Sequence, residues 1–260
     1  MSHSLFDLAS RTAYVTGGAA GIGLGVATAL RESGAEVVIA DRVDATAQAD
    51  RIGARYFPVD VAEEASVRES LRMATEHHQA KLDIVVLNAG VGDVGPTLEN
   101  TDQALMEKVI SVNQKGVIHG LKHAPGSMND GGTIIATSSM AAHISLPGGG
   151  VYSSTKRAVN SLVETSAMEL GGRGIRVNSI CPGYTDTAMG SGEEGAVLCE
   201  AFTALGRMAN VEDLVGVFLF LSSDASRYIT GQAIKVDGGW DCGPTEKLME
   251  LVTGSSIAPS

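Results

Sequence analysis

Short apolar runs alternate with longer stretches of helical character along almost the whole chain. We predict strands at residues 12–16, 36–41, 54–60, 82–88, 132–138, 175–181 and 233–237. Helices are predicted between them, at residues 22–32, 63–78, 101–122, 151–170 and 211–223. Apolar strands that alternate with helices form a parallel sheet, because each crossover returns over one of its faces. Right-handed crossovers then predict an α/β fold, a doubly wound parallel sheet of about seven strands with helices on both faces.

The length and composition fit a single domain. The chain has 260 residues, of which 44% are hydrophobic, and this suffices for one large α/β core. Because no break in composition divides it, we expect residues 1–260 to form one domain. Residues 185–205 are the least patterned internal stretch and are predicted to form a mobile flap. Residues 240–260 are predicted to be a C-terminal tail without a clear place in the sheet.

The charge balance is acidic, with 19 basic against 30 acidic residues and a net charge of −11. We therefore expect no nucleic-acid partner and no anionic-membrane partner, since both need a basic surface. The first residues lack the basic and apolar segments of a secretory signal, and no run approaches the ~18 apolar residues of a spanning helix. Three unpaired cysteines, Cys181, Cys199 and Cys242, favour a reduced, cytoplasmic protein.

A glycine-rich loop lies between the first predicted strand and the first predicted helix. It reads Thr16-Gly17-Gly18-Ala19-Ala20-Gly21-Ile22-Gly23. Glycines at such a turn let the backbone approach a pyrophosphate, and the start of the helix adds N–H donors and a partial positive charge. A tight strand–helix turn without a ligand is the simpler alternative. The position of the loop after the first strand of a βαβ unit favours dinucleotide binding.

Asp41 ends the second predicted strand and follows Gly23 in the sequence by 18 positions. A carboxylate at this point can accept both hydrogen bonds of an adenosine ribose diol, and it repels a 2′-phosphate. Arg42 follows directly and would favour NADP. We expect Asp41 to dominate, because the repulsion between like charges costs more than an exposed guanidinium returns. The sequence therefore predicts NAD as the cofactor.

Tyr152 and Lys156 stand four positions apart, so on a helix they share one face. An ammonium beside a phenol stabilises the phenolate and lowers the phenol pKa, which is near ~10 in a free tyrosine. Ser139, 13 positions upstream at the end of a predicted strand, could hold the oxygen on which the chemistry occurs. The Tyr-x-x-x-Lys spacing occurs by chance on many helices, so it gains meaning only together with the nucleotide loop.

Taken together, these motifs resemble those of the short-chain dehydrogenase/reductase family, over about residues 8–239. The resemblance rests on the loop at 16–23, Asp60-Val61, Asn88-Ala89-Gly90, Asn113, Ser139, Tyr152, Lys156, Pro182-Gly183, Thr185, Thr187 and Val236-Asp237-Gly238-Gly239. Two places depart from the family pattern. Leu87 stands where an asparagine is frequent, and Pro125-Gly126 should end the helical region that begins at residue 101 early.

The resemblance implies a Rossmann-type fold and reversible hydride transfer between a secondary alcohol and NAD. It implies Tyr152 as the acid/base, Ser139 as a donor to the substrate oxygen, Lys156 on the nicotinamide ribose, and Asn113 as the holder of a water. The implied cofactor-binding residues are Gly17, Gly21, Ile22, Gly23, Asp41, Asp60, Val61, Asn88, Ala89, Gly90, Tyr152, Lys156, Pro182, Gly183, Thr185 and Thr187. No metal is expected, and a homotetramer is implied.

The substrate is not encoded by any of these motifs, although its determinants should lie in residues 92–96, 143–150 and 185–205. The glycines at 148–150 suggest an open pocket wall that accepts a bulky or ring-shaped alcohol; a flexible lead-in to the helix is the alternative. His143 is a candidate for the same pocket. His119 and His123 have the spacing of two metal ligands on a helix, but no third ligand is evident. An NADP-dependent 3-oxoacyl thioester reductase and a non-enzymatic nucleotide-sensing protein remain as alternative functions.

Overall fold

The computed structural model describes residues 5–92, 95–190 and 192–255. Within these ranges, seven strands form one parallel sheet with the order β3-β2-β1-β4-β5-β6-β7. The strands are β1 Thr12–Thr16, β2 Glu36–Asp41, β3 Arg55–Pro58, β4 Leu82–Leu87, β5 Met128–Thr137, β6 Arg176–Pro182 and β7 Ala233–Val236. The α/β, doubly wound, Rossmann-type prediction is confirmed.

The helices cover both faces of this sheet. They are α1 Gly21–Glu32, α2 Thr46–Ile52, α3 Glu64–His78, α4 Gln103–Val109, α5 Gly116–His123, α6 Gly150–Leu170, α7 Glu193–Phe202, α8 Val211–Ser222 and α9 Glu246–Thr253. A π-helical turn, Ile110–Lys115, joins α4 to α5. None of the helices in the ranges that the structure describes is long and apolar enough to cross a membrane.

Because side chains alternate in direction along each strand, the apolar core is divided into two clusters, one on each face of the sheet. Tyr14 of β1 packs on the face covered by α3, α5 and α6, together with Leu71 and Val163. Its neighbours Ala13 and Val15 pack on the opposite face, which α1 and α8 cover. Successive strand residues point to opposite faces, so one strand contributes to both clusters.

Three predicted segments differ from the structure. The predicted helix at 101–122 is interrupted by the π turn, and α5 ends at His123, just before Pro125, as the proline requires. The predicted flap at 185–205 contains α7, and the predicted tail at 240–260 contains α9. α2 was not predicted at all. Residue 191 of the flap and residues 256–260 of the tail lie outside the described residues.

Candidate active site

The direction of the strand order reverses between β1 and β4, and a cleft of about 330 Å³ opens at their carboxyl ends. Parallel sheets bind ligands at such reversal points, because the loops that follow the two strands diverge there. Most of the predicted cofactor residues line this cleft: Gly17, Gly21, Ile22, Asp41, Asp60, Val61, Asn88, Ala89, Gly90, Tyr152, Lys156 and Thr187. Pro182, Gly183 and Thr185 line a neighbouring cavity instead.

The loop between β1 and α1 needs its glycines for two different reasons. Gly17 and Gly21 have φ angles of +67° and +53°, a region that side chains disfavour. Gly23 does not line the cleft, and a Cβ there would come within 2.1 Å of the Gly17 carbonyl oxygen. Within the described part of the chain, no side chain caps the start of α1 at Ala20. The exposed backbone of this loop therefore fits an anionic pyrophosphate.

Asp41 is held in place at the far end of the cleft by two backbone amides. Its Oδ2 accepts a hydrogen bond from the Ala19 amide at 3.1 Å, and its Oδ1 accepts one from the Val43 amide at 3.1 Å. A carboxylate has about four acceptor sites, so it can still accept bonds from a ribose diol. Arg42 also lines the cleft and is exposed. Asp41 and the glycine loop together fit an adenine dinucleotide.

Asn88, which follows β4, forms hydrogen bonds with both neighbouring strands, β1 and β5. Its backbone amide donates to Thr16 Oγ1 at 3.0 Å, and its Nδ2 donates to the carbonyls of Thr16 and Gly17 at 3.2 and 3.3 Å. Its Oδ1 accepts a hydrogen bond from Thr137 Oγ1 at 3.1 Å. The side chain thus fixes the floor of the cleft. Leu87, the departure from the family pattern, is buried in the core beside it.

Lys156 lies on α6 and is buried under the cleft. Its Nζ donates to the Thr137 carbonyl oxygen at 2.9 Å and lies 5.6 Å from the centre of the Tyr152 ring. Burial disfavours the charged form and lowers the pKa of Lys156 to about 8. A small change in its surroundings can therefore change the protonation of this amine near neutral pH.

Tyr152 lies one helical turn before Lys156 and borders both cavities. In this structure its pKa is raised rather than lowered, because burial of the phenol outweighs the hydrogen bond with Ser139. The spacing of Tyr152 and Lys156 predicts a lowered pKa, because it reveals the neighbouring ammonium and not the burial of the phenol.

Ser139 follows β5 and begins a short 3₁₀ turn, Met140–Ala142. Its Oγ accepts a hydrogen bond from the Ala141 amide at 3.1 Å, and the side chain lines the second cavity. The turn therefore fixes the hydroxyl beside Tyr152, at the boundary between the strand end and α6.

Asn113 sits in the π turn, fully buried. Its Oδ1 accepts from the Val91 amide at 2.8 Å, and its Nδ2 donates to the Val91 carbonyl at 2.9 Å. A Cβ at Gly90 would lie 3.3 Å from Asn113 Oδ1 and 3.5 Å from Lys156 Nζ, so both side chains converge under the Gly90 turn. Asn113 is thus close to Lys156, although its amide is occupied by the backbone of the turn.

The second cavity, of about 400 Å³, lies on the other side of Tyr152. It shares Ile22, Tyr152, Thr187 and Met189 with the first. Its other lining side chains include the apolar ones of Met140, Leu146 and Tyr184, and the side chains of Ser139 and Tyr152 line the same cavity. A molecule in this cavity would therefore meet a molecule in the first one at Tyr152.

The two threonines after the Pro182-Gly183 turn are held by their own backbone. Thr185 Oγ1 donates to the Gly183 carbonyl at 3.1 Å, and Thr187 Oγ1 donates to the Thr185 carbonyl at 3.5 Å. A Cβ at Gly183 would lie 2.9 Å from Asp237 Cα, so this turn packs closely against the end of β7.

The predicted substrate determinants are only partly in the second cavity. Gly149 lines it, whereas Gly150 packs against Leu98, where a Cβ would meet Cδ2 at 2.7 Å. His143 is exposed and does not line it. Residues 93 and 94 of the predicted segment 92–96 lie outside the described residues. Met189 belongs to the predicted segment 185–205 and lines both cavities, whereas Tyr184 lies just outside that segment and was missed, because no motif marks an apolar wall.

The two histidines with metal-like spacing have other contacts. His119 Nδ1 lies 2.9 Å from the Val61 carbonyl oxygen, and His123 Nε2 lies 2.8 Å from Glu64 Oε1. Among the residues that the structure describes, no group of three or more His, Cys, Asp or Glu side chains is arranged to hold a metal ion.

A family model described as "Enoyl-(Acyl carrier protein) reductase" matches residues 17–241. Short-chain dehydrogenase reductase ATA1 of Arabidopsis thaliana is 36% identical, over 92% of this chain and 96% of that protein. A mitochondrial borneol dehydrogenase of Lavandula x intermedia is 36% identical, over 89% of this chain and 91% of its own length. A cis-4-hydroxycyclohexanecarboxylate dehydrogenase of Sinomonas cyclohexanicum is 35% identical, over 89% of this chain and 97% of its own length.

Solved structures agree with these relatives. A short-chain dehydrogenase/reductase from Mycobacterium marinum superposes with a TM-score of 0.84 at 37% identity, over 92% of this chain and 98% of its own. A blue fluorescent protein from a metagenomic library, solved in complex with NADPH, has a TM-score of 0.85 at 31% identity, over 90% of this chain and 99% of its own. With sequence, fold and cleft in agreement, this chain belongs to the short-chain dehydrogenase/reductase family of oxidoreductases.

Proposed function

We propose that this protein is an NAD-dependent oxidoreductase that interconverts a secondary alcohol and a ketone, with Tyr152 as the acid/base. The observation that carries the proposal is the position of Tyr152 between two cavities, with Ser139 and Lys156 beside it. One cavity has the loop and carboxylate of a dinucleotide site, and the other is largely apolar. The residues 1–260 would then act as one dinucleotide-binding catalytic domain.

In the oxidation direction, Tyr152 Oη would accept the proton of the substrate hydroxyl, and Ser139 would donate a hydrogen bond to the same substrate oxygen. Bound NAD supplies the hydride acceptor. Lys156, whose pKa burial lowers to about 8, would stabilise the phenolate and take part in returning the proton to solvent. Asn113, beside Lys156 in the π turn, would hold a water on that path with the lone pair and the N–H of its side chain that Val91 leaves unused.

The preference for NAD over NADP rests on Asp41. Two backbone amides hold its carboxylate at the ribose end of the cleft, so it cannot easily turn away from a 2′-phosphate. Arg42 is exposed, and solvent screens its attraction for that phosphate. The NADPH bound to the related metagenomic protein makes NADP the alternative to test.

For the substrate, we propose a cyclic secondary alcohol. The apolar wall formed by Met140, Leu146, Tyr184 and Met189 leaves room for a compact ring, and Ser139 and Tyr152 in the same cavity would hold its hydroxyl. Gly149 adds no side chain to the wall. Two relatives have names that specify ring alcohols, a borneol dehydrogenase and a hydroxycyclohexanecarboxylate dehydrogenase.

The test is a set of rate measurements on cyclic and open-chain secondary alcohols, sugars and hydroxy acids with NAD and NADP, following the absorbance of the reduced cofactor. We expect a cyclic alcohol to be oxidised, with kcat/KM for NAD at least about tenfold above that for NADP, which equals about 1.4 kcal/mol. Equal values for the two cofactors would refute the role of Asp41.

The same assay includes a 3-oxoacyl thioester with NADPH, because the description of the matched family model names an acyl-carrier substrate. Preferential reduction of the thioester would establish that alternative. Binding of NAD without turnover of any compound would instead favour a nucleotide-sensing protein. A homotetramer in the cytoplasm completes the proposal, and light scattering on the purified protein measures the subunit number.

A further inference from the structure

The chain makes a tight turn after β7 and inserts its only tryptophan beneath α7. Gly238 and Gly239 have φ angles of +65° and +84°, and Asp237 accepts hydrogen bonds from the amides of Gly239 and Asp241 at 3.0 and 3.1 Å. This turn directs Trp240 inward, where only 8% of it is exposed. The position of Trp240 is therefore fixed by the backbone on both sides of it.

Trp240 contacts two aromatic rings, one in α7 and one in the wall of the second cavity, which we call the substrate cavity. It stacks on Phe202, the last residue of α7, with ring centres 5.2 Å apart and an interplanar angle of 13°. It also packs against Tyr184, with ring centres 5.5 Å apart and an angle of 30°. Tyr184 lines the substrate cavity, whereas Trp240 lines neither cavity. Trp240 thus supports the cavity wall from behind.

Further contacts tie the C-terminal segment to α7. The Leu205 amide donates to the Gly238 carbonyl at 3.2 Å, Thr245 Oγ1 donates to the Ala201 carbonyl, and Lys247 pairs with Glu200. Met140, the residue after Ser139, belongs to the same apolar cluster as Trp240. The cluster therefore joins the C-terminal segment, α7 and the turn that carries the reactive serine.

We propose that Trp240 is a positioning residue that sets the shape of the substrate cavity through Tyr184 and α7. It determines which alcohols fit, and it leaves the dinucleotide cleft unaffected, because its ring contacts lie on the substrate side of Tyr152. The kinetic part of this inference rests on the proposed alcohol dehydrogenase function.

The kinetic test compares Trp240→Ala, Trp240→Phe and Lys247→Gln with the wild type. In Trp240→Ala we expect KM for the best cyclic alcohol to rise about tenfold, because two aromatic contacts are lost, and selectivity for ring over open-chain alcohols to fall. KM for NAD should stay within about twofold. Trp240→Phe should recover most of the selectivity. Lys247→Gln should behave as wild type, since an exposed ion pair contributes little.

The second measurement is hydrogen exchange, which requires no substrate. In Trp240→Ala we expect faster exchange of the α7 amides, with the amides of β1 and α1 unchanged as a check that the fold is intact. Unchanged exchange in α7 would overturn the inference, and so would a loss of NAD affinity equal to the loss for alcohol. If the wild type oxidises no alcohol, the proposed function fails, and the exchange of α7 still decides whether Trp240 positions it.

Discussion

Tyr152 and Lys156 are both buried, and burial acts on both in the same sense. It favours the neutral phenol and the neutral amine, so the pKa of Tyr152 is raised and that of Lys156 falls to about 8. Burial therefore opposes charge on both groups, while a pKa of about 8 still leaves Lys156 mostly protonated at pH 7. The hydrogen bond with Ser139 opposes the effect of burial and lowers the Tyr152 pKa. Chemistry at this site thus depends on what else enters the two cavities.

Replacing Tyr152 by phenylalanine should remove nearly all turnover, because among the described residues that border both cavities it has the one side chain that ionises; Ile22, Thr187 and Met189 do not. Affinity for NAD should change little, since the ring remains. Steady-state kinetics and calorimetric titration with NAD measure the two effects. The matched control is Tyr228→Phe, the same substitution at a fully exposed tyrosine, which should leave the kinetics unchanged. Substantial turnover by Tyr152→Phe would exclude Tyr152 as the acid/base.

Lys156 should make stability depend on pH in an alkaline window. Its pKa is about 8 in the fold against an ordinary value of 10.5, so between these values the unfolded chain binds more protons than the native protein. The free energy of unfolding should therefore rise with pH across that window, by at most about 3 kcal/mol. Lys156→Met should lack this rise. Urea unfolding at about pH 8 and pH 10 measures it. Parallel pH profiles for the two proteins would contradict the burial effect.

At the scale of elements, the strands were predictable because most of them are apolar runs bounded by glycine or polar residues. β1 and β2 have the predicted limits, and the central strands differ only at their ends. β3, at the edge of the sheet, is shorter than predicted. α7 was missed because Gly190, Gly192 and Gly195 lie at and before its start; its apolar residues Leu198 and Phe202 lie where a helix places them on one face.

The parts of the site that consist of motif residues could be predicted from the sequence. Motifs located the glycine loop, Asp41, Ser139, Tyr152 and Lys156, and the structure brings them to adjoining cavities. The partner of Lys156 is the carbonyl of Thr137, and a backbone atom leaves no signal in a sequence. Trp240 lies far along the chain from Tyr184, and its role depends on a turn that only the folded chain shows.

Replacing glycine by alanine should lower the stability of the protein at one helical glycine and raise it at another. A Cβ at Gly25 of α1 would lie 2.2 Å from Val211 Cγ1 of α8, so Gly25→Ala must push the two helices apart. We expect the free energy of unfolding of this variant to fall by about 1–3 kcal/mol. Gly216 of α8 has nothing within 4 Å of the same point, so Gly216→Ala should gain about 0.5–1 kcal/mol from helix propensity. Urea midpoints measure both, and a stabilised Gly25→Ala would contradict the packing of α1 on α8.

Both core clusters share one sheet, and the cofactor cleft lies where the strand order reverses. A ligand that binds there contacts loops from both halves of the sheet. Binding to the native state alone then stabilises the entire fold.

NAD at about a hundredfold excess over its Kd should raise the free energy of unfolding by about 2.7 kcal/mol, and NADP at the same concentration by much less. Thermal unfolding with each cofactor measures this without a substrate. In Asp41→Ala the difference between the cofactors should shrink, since the carboxylate that repels the 2′-phosphate is gone. Equal stabilisation of the wild type by both cofactors would show that Asp41 does not discriminate.

The π turn at Ile110–Lys115 fixes the number of residues between Asp102 and Asn113. A π turn holds one residue more than an α-helical turn, and each residue rotates an α-helix by about 100°. Deleting one residue between Asp102 and Asn113 would permit a regular helix, but Asn113 would then face away from Val91 and Lys156. Related sequences should therefore tolerate substitutions across α4 more readily than insertions or deletions.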